Sequence, residues 1–158
     1  MQNIKEIKSI SVYAKKPALI KSDEGVQGVL LKGIDKNYDK DNFEQLIVEG
    51  KFIEFNDSTN SKDILISKKI SDKMGLKVGD KALFYFVQYP PRYRKLNVVG
   101  IYSSGLEEFD EQYVLGDIKV IQKLNGWEDT LVGGYEVNVT DFAKFLGLSM
   151  SLPFFKAT

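Results

Sequence analysis

The segment from Ile64 to Val87 constrains the fold of this chain more than any other. An apolar run ends at Ser67, a residue type that caps helices through its hydroxyl group, and Gly75 is well suited to end the helix that follows. Gly79 and Asp80 then form a tight turn before a second apolar run. The segment predicts strand, short helix, turn and strand in succession. No catalytic motif accompanies it, which favours a binding or coupling module over an enzyme.

Composition narrows the function further. The chain has 158 residues, 43% of them hydrophobic, which suits one folded unit. Lys plus Arg and Asp plus Glu both total 22, so no net charge attracts nucleic acid, and we expect no nucleic-acid partner. The chain has no Cys and no His, which excludes thiol nucleophiles, Ser-His and Cys-His dyads and the usual zinc ligands.

Hydrophobic periodicity and turn residues predict an α+β fold with a mixed or antiparallel sheet and short helices. We detect no internal repeat, and no apolar run reaches the roughly 18 to 20 residues of a membrane helix. The acidic segment 103–110 is interpreted as a loop. The predicted strands are 4–14, 17–20, 26–34, 63–66, 82–87, 96–102, 111–115 and 132–139, and the predicted helices run from Asp41 or Asn42 to Ile47, from Ser67 to Gly75, from Gly116 to Leu124 and onward from Thr140 or Asp141.

One connection between two apolar runs is the best candidate for a partner-binding site. Its prolines donate no backbone hydrogen bond, so the connection has to leave the sheet as a hairpin tip. Aromatic and Arg side chains anchor protein interfaces well, so the tip is either an adhesive surface or a rigid exposed turn. The candidate residues are Tyr89, Pro90, Pro91, Arg92, Tyr93 and Arg94.

No catalytic residue, metal site or cofactor is expected. Glu107, Glu108 and Asp110 lie within four residues of one another, but no partner for acid or base chemistry is identifiable. The acidic loop 35–41 has alternating oxygen ligands but lacks the glycine and the final Glu of a calcium loop. No glycine-rich loop that could cradle a phosphate is present.

Several segments, taken in order, resemble the extracytoplasmic domain of FtsX-like, MacB-type ABC transporter permeases, and in particular the lipoprotein-releasing LolC/LolE branch. Together they cover about residues 5–142. The segments are Pro17–Ile20, Gly25–Asp35, Glu49–Gly50, Ile64–Asp80, Lys95–Tyr102, Gly105–Asp110, Tyr113–Leu115 and Gly133–Val137.

The resemblance implies a MacB-type periplasmic core domain spanning 1–158 and built of two lobes. One lobe would come from both termini, roughly 1–35 and 132–158, and a β-rich lobe from the middle, roughly 36–131. The domain would be inserted between the first and second membrane helices of an inner-membrane permease and would project into the periplasm. It would contact the membrane only through flanking helices absent from this chain.

The resemblance also implies a function in lipoprotein release or related export. A separate cytoplasmic ATPase would move the domain, which would have no catalysis of its own, and a partner permease would complete the transporter. In the lipoprotein-releasing branch a protruding hairpin captures a periplasmic carrier. Tyr89–Arg94 occupies the matching position here, so a carrier or the lipoprotein cargo would bind at it.

Two other hypotheses remain. A helix followed by Leu-x-x-Gly-Asp and a strand also occurs in small cytosolic β-barrel binding domains of double-psi or swapped-hairpin type. Such barrels usually carry this unit twice or dimerise, and the sequence indicates it once, at Leu76–Asp80. A carboxylate enzyme using Glu107, Glu108 and Asp110 is the third hypothesis.

Overall fold

The computed structural model describes residues 7–56, 59–128 and 130–139. Within them lie eight strands and four short helices, which confirms the predicted α+β class with a mixed sheet. No helix among these residues has the length and apolar character needed to cross a bilayer. The elements are β1 (Ile7–Ser22), β2 (Gly25–Ile34), α1 (Lys40–Glu44), β3 (Ile47–Gly50), β4 (Asp63–Ser67), α2 (Lys68–Met74), β5 (Lys81–Phe86), β6 (Arg92–Tyr102), α3 (Glu107–Gln112), β7 (Tyr113–Asp117), α4 (Ile118–Asn125) and β8 (Gly134–Val139).

Six of the strands close into a ring in the order β1, β2, β7, β4, β6, β5 and back to β1. Closure depends on β1, in which Leu19 pairs with Gly28 of β2 on one edge and with Tyr85 of β5 on the other. The pairs β2–β7 and β4–β6 are parallel, and the other four pairs of the ring are antiparallel. Two strands lie outside the ring, since β3 pairs with the end of β6 and β8 pairs with the first half of β1.

The ring has an approximate twofold repeat that the sequence does not reveal. The hairpin β1–β2 corresponds to β5–β6, and the unit β4–α2 corresponds to β7–α4; exchanging them reproduces the pairing pattern of the ring. Both helices are capped by the last residue of the preceding strand, Ser67 or Asp117, and both end at a left-handed glycine. The two halves of the ring therefore share their strand pairing and the way in which their helices are capped.

The main core lies inside the ring. Phe84, Phe86 and Ile20 are fully buried there, and Ile70 of α2 and Ile121 of α4 pack against it. Fully burying a side chain of this size contributes roughly 1.5 to 3 kcal/mol. The ring and its two helices therefore form one stabilising unit.

A second core covers part of the outside of the ring. Leu65 of β4 pairs with Leu115 of β7, and both side chains belong to this outer cluster. Phe43 of α1 packs edge to face on Tyr102, with ring centroids 5.1 Å apart. The Tyr102 hydroxyl donates a 2.6 Å hydrogen bond to the carbonyl of Tyr113, and burial raises the pKa of this phenol above its ordinary value.

The predicted strands 4–14 and 17–20 form one continuous strand, β1, and the orientation of Pro17 explains why the proline does not interrupt it. Backbone N–H and C=O groups of successive strand residues point to alternate edges, and the Tyr13 carbonyl accepts from Gly133 on the edge used by β8. Pro17, four residues on, points to the same edge, in the interval between the partners β8 and β5. The missing N–H therefore interrupts no pairing, and β1 continues through the proline.

Other predicted boundaries are also corrected. The helix expected to reach Ile47 ends at Glu44, and a strand begins at Ile47. Part of the expected acidic loop 103–110 is helix α3, and β6 begins at Arg92 rather than at residue 96. The closing helix after Thr140 and the tail lie outside the described residues, whereas the predicted caps of α2 at Ser67 and Gly75 are confirmed.

Candidate functional site: the β5–β6 hairpin

The predicted hairpin tip divides between a strand and a connection. Strands β5 and β6 pair antiparallel from Lys81 with Asn97 to Phe86 with Arg92. Residues 92–94 are therefore strand residues rather than part of the tip, and residues 87–91 form the connection. Strand β6 begins before the predicted residue 96, because the sequence shows the apolar run but carries no signal for the pairing that extends beyond it.

The connection itself is exposed. Tyr89 is 98% accessible, and Pro90 and Pro91 are also exposed. One contact fixes the connection to helix α4, since the Gln88 side-chain amide donates to the carbonyl of Leu124 at the end of that helix, at 3.4 Å. In the equivalent hairpin β1–β2, the Ser22 hydroxyl donates to the carbonyl of Met74 at the end of α2, at 2.9 Å. Both hairpins are thus tied to the helix of their own half.

The six candidate residues do not form one surface. Residues directly opposite each other in a sheet share a face, and Tyr93 pairs with Tyr85 on the outward face. Arg94 pairs with Phe84 on the face that includes the core. Arg94 is half-buried, and its guanidinium donates to the carbonyl of Tyr93 at 2.8 Å. The tip presents Tyr89, one flank presents the arginines, and the opposite flank presents Tyr93.

The outward flank includes a residue that the sequence analysis missed. The Lys21 ammonium lies 5.0 Å from the ring centroid of Tyr85 and 5.9 Å from that of Tyr93, and the two rings are 4.9 Å apart. A cation at this distance from an aromatic face is attracted by its quadrupole. Lys21 is far from both tyrosines in the chain, so only the pairing of β1 with β5 reveals the contact.

Two of the three clustered carboxylates, Glu107 and Asp110, have separate structural contacts. Asp110 is buried and accepts from the backbone N–H and the hydroxyl of Ser104, the latter at 2.5 Å. Glu107 is exposed and pairs with Lys69, whose hydrogen bond lowers the pKa of the Glu107 carboxyl. Among the described residues no group of three acidic side chains is arranged to hold a metal ion.

A buried ion pair links β2 to β8. Lys32 Nζ lies 2.6 Å from Glu136 Oε2, and both side chains are less than one-tenth exposed. Burial lowers the pKa of the Lys32 ammonium, while the adjacent carboxylate opposes that shift. The Tyr13 ring lies against both Lys32 and Gly134, where an added Cβ would come 2.8 Å from the Tyr13 hydroxyl oxygen. This cluster fixes the position of β8 on the ring.

No family model and no curated protein matches this chain. The solved structures that are similar to it include the following two. The extracellular domain of the noncanonic ABC-type transporter YknZ from Gram-positive bacteria is 17% identical, with a TM-score of 0.59 over 98% of this chain and 77% of that one. The periplasmic region of MacB from Actinobacillus actinomycetemcomitans is 12% identical, with a TM-score of 0.60 over 92% of this chain and 70% of that one. This chain therefore has the fold of the extracytoplasmic domains of these ABC-type transporters.

Proposed function

We propose that this chain is the periplasmic domain of an inner-membrane ABC transporter permease. The observation that carries the proposal is the structural likeness to the extracytoplasmic regions of two such transporters over 98% and 92% of this chain. The domain performs no catalysis of its own. A separate cytoplasmic ATPase supplies the energy, and the domain passes the resulting movement to a cargo or carrier.

The arrangement of the chain ends supports this role. Near its start β1 pairs with β8, with Ile7 opposite Val139, so the two ends of the described chain lie side by side. A domain inserted between two membrane helices needs this arrangement. The Lys32–Glu136 pair joins β8 to the ring, so a displacement of the two ends reaches the ring through β1 and β8 together. The lobe boundaries at residues 35 and 132 remain a prediction.

Cargo or carrier binding at Tyr89–Arg94 is the finer part of the proposal. Tyr89 supplies an accessible aromatic ring at the tip, and Arg92 supplies an exposed charge on one flank. Lipoprotein release is the process we favour, because in the LolC/LolE branch the equivalent hairpin captures the carrier. Pull-down of periplasmic proteins with the native chain and with Tyr89→Ala/Arg92→Ala tests this site. Lys73→Ala/Lys77→Ala, at exposed residues elsewhere, is the control.

The native gene provides the test of the main proposal. A permease would show one apolar run of about 20 residues before this domain and about three after it. Its product would also copurify with an ATP-binding subunit. A complete reading frame without such runs would contradict the proposal, whatever the hairpin binds.

A small cytosolic β-barrel binding domain is the second candidate function. The closed six-strand ring and its approximate twofold repeat favour it, because barrels of double-psi or swapped-hairpin type repeat such a unit. Strand β8 and the first half of β1 form an extension outside the ring, which the transporter proposal uses and the barrel proposal does not. A cytosolic location of the native protein would favour the barrel.

A further inference from the structure

Part of the outward face of four neighbouring strands is left open by the described segments. Strands β2, β1, β5 and β6 are adjacent in the ring, and every second residue points away from its interior. Each outward residue in this region is exposed or half-buried. We name this surface the lysine–tyrosine face; it consists of Val26, Gly28, Leu30, Pro17, Leu19, Lys21, Lys81, Leu83, Tyr85, Tyr93, Lys95 and Asn97.

An apolar groove lies at one end of this face, between the β1–β2 hairpin and the end of β5, and helix α3 borders it. Its volume is about 300 Å³, and its lining includes Pro17, Leu19, Leu30 and Val87, the last being 72% exposed. The paired Tyr85 and Tyr93 rings lie next to β1, on the neighbouring strands β5 and β6. Exposed apolar surface rimmed by polar groups is typical of an interaction site. The groove has room for one or two aliphatic side chains.

All the charged residues of the lysine–tyrosine face are lysines. Lys21, Lys81 and Lys95 are exposed, and no Asp or Glu occupies an outward position among its residues. This bias is local, because the whole chain has equal numbers of basic and acidic residues. Lys21 lies over two tyrosine rings, which restricts its ammonium group to this face. The face therefore complements a partner that is both acidic and apolar.

We propose that the lysine–tyrosine face docks an acidic polypeptide segment. Aliphatic side chains of the segment occupy the groove, and its carboxylates lie beside Lys21 and Lys95. The proposal goes beyond the transporter function and does not depend on it. It also concerns a different surface from the tip at Tyr89, although Tyr93 borders both.

Charge disfavours two other occupants. A second copy of the chain, facing this surface with its own, would bring lysines against lysines. A flat anionic membrane would also meet Asp23 and Glu24, which are exposed in the turn at the end of the face. A narrow segment crossing the strands avoids that turn.

The direct test uses NMR of the full chain and a peptide of about eight residues in which Glu and Leu alternate. Such a peptide is long enough to cross four strands spaced roughly 4.8 Å apart. We expect saturable shifts of the backbone signals of Leu19, Leu30 and Tyr85, weakened by added salt. A Lys and Leu peptide and a Glu and Ser peptide of the same length should bind more weakly, since each lacks one of the two complementary features.

Charge reversal supplies the matched comparison. Lys21→Glu/Lys95→Glu should weaken binding of the Glu and Leu peptide about tenfold, since two favourable surface pairs become repulsive. Lys40→Glu/Lys77→Glu changes the net charge equally at exposed residues elsewhere and should preserve most of the affinity. Circular dichroism and thermal unfolding establish that both variants fold.

Four outcomes would overturn the proposal. One is equal weakening by both double variants, and another is a set of shifts outside the face. A third is tighter binding to phosphatidylglycerol vesicles than to the peptide, with the same dependence on Lys21 and Lys95, which would assign the face to a membrane. The fourth is concentration-dependent self-association of the chain that Lys21→Glu/Lys95→Glu abolishes, which would assign it to a second copy.

Discussion

At the residue scale, the buried polar groups connect elements that are distant in the chain. Lys32 and Glu136 are separated by 104 residues, and the Ser67 hydroxyl donates to the carbonyl of Asp110, 43 residues away. Sequence reasoning could not pair Lys32 with Glu136, because each alone looks like an ordinary surface charge on a strand. Local caps were predictable, since Ser67 accepts from Ile70 only three residues away.

Neutralising one partner of the buried ion pair should destabilise the fold strongly. In Glu136→Gln the Lys32 ammonium stays buried without its carboxylate, and breaking such a pair costs about 3 to 5 kcal/mol. Lys32→Met/Glu136→Leu removes both charges and should unfold at a higher urea concentration than Glu136→Gln. A double variant less stable than Glu136→Gln would contradict this account.

Alkaline pH should selectively remove the stability advantage that Tyr102 provides. Burial raises the folded-state pKa of Tyr102 above the unfolded value of about 10, so its contribution is complete below that pH and is lost as pH rises above it. The difference in unfolding free energy between the native chain and Tyr102→Phe should therefore shrink by about 1.4 kcal/mol per pH unit above about pH 10. Urea titrations at several pH values measure it, and a constant difference would contradict the assignment.

At the element scale, the two strand-to-helix units determine where the helices lie on the ring. The β4–α2 unit was predicted because its cap, apolar spacing and terminal glycine are all local. Helix α3 was missed because its N-cap position is Leu106, which makes no side-chain capping bond, although the acidic residues of its first turn are typical of a helix start. The resemblance of α2 and α4 was also missed, because their residues differ although their caps correspond.

Close packing of α4 on β2 depends on Gly33. An added Cβ at Gly33 would come 2.6 Å from the Cα of Ile118, so the backbones would have to separate. We expect Gly33→Ala to destabilise the chain by about 1 to 3 kcal/mol, as overpacking of a core does. Gly28→Ala in the same strand is the control, because its nearest contact would be an ordinary 3.9 Å. Similar losses of stability in the two variants would refute the packing argument.

At the scale of the whole molecule, the ring and the paired chain ends are the features on which the functional account depends. The sequence predicted an α+β fold, most strands and the exposed connection at Tyr89. Closure of the ring could not be predicted, because it depends on β1 pairing with β2 and β5 at the same residues. The division of the hairpin residues between two faces follows from the register of β5 and β6, which the sequence does not specify.

The hairpin connection should contribute to binding without contributing to folding. Tyr89 is 98% exposed, so Tyr89→Ala should change the free energy of unfolding by less than about 0.5 kcal/mol. Thermal and urea unfolding measure the change. A loss of several kcal/mol would show that the tip is part of the folded core and would contradict its assignment as a docking element.

The central claim is that this domain faces the periplasm, and single-cysteine labelling in cells tests it most directly. The chain has no cysteine, so Tyr89→Cys introduces one accessible thiol. The variant is placed in the native full-length protein, with any cysteines outside this domain replaced. A maleimide that cannot cross the inner membrane should label it in intact cells whose outer membrane has been permeabilised. Labelling only after the inner membrane is lysed would place the domain in the cytoplasm and contradict the account.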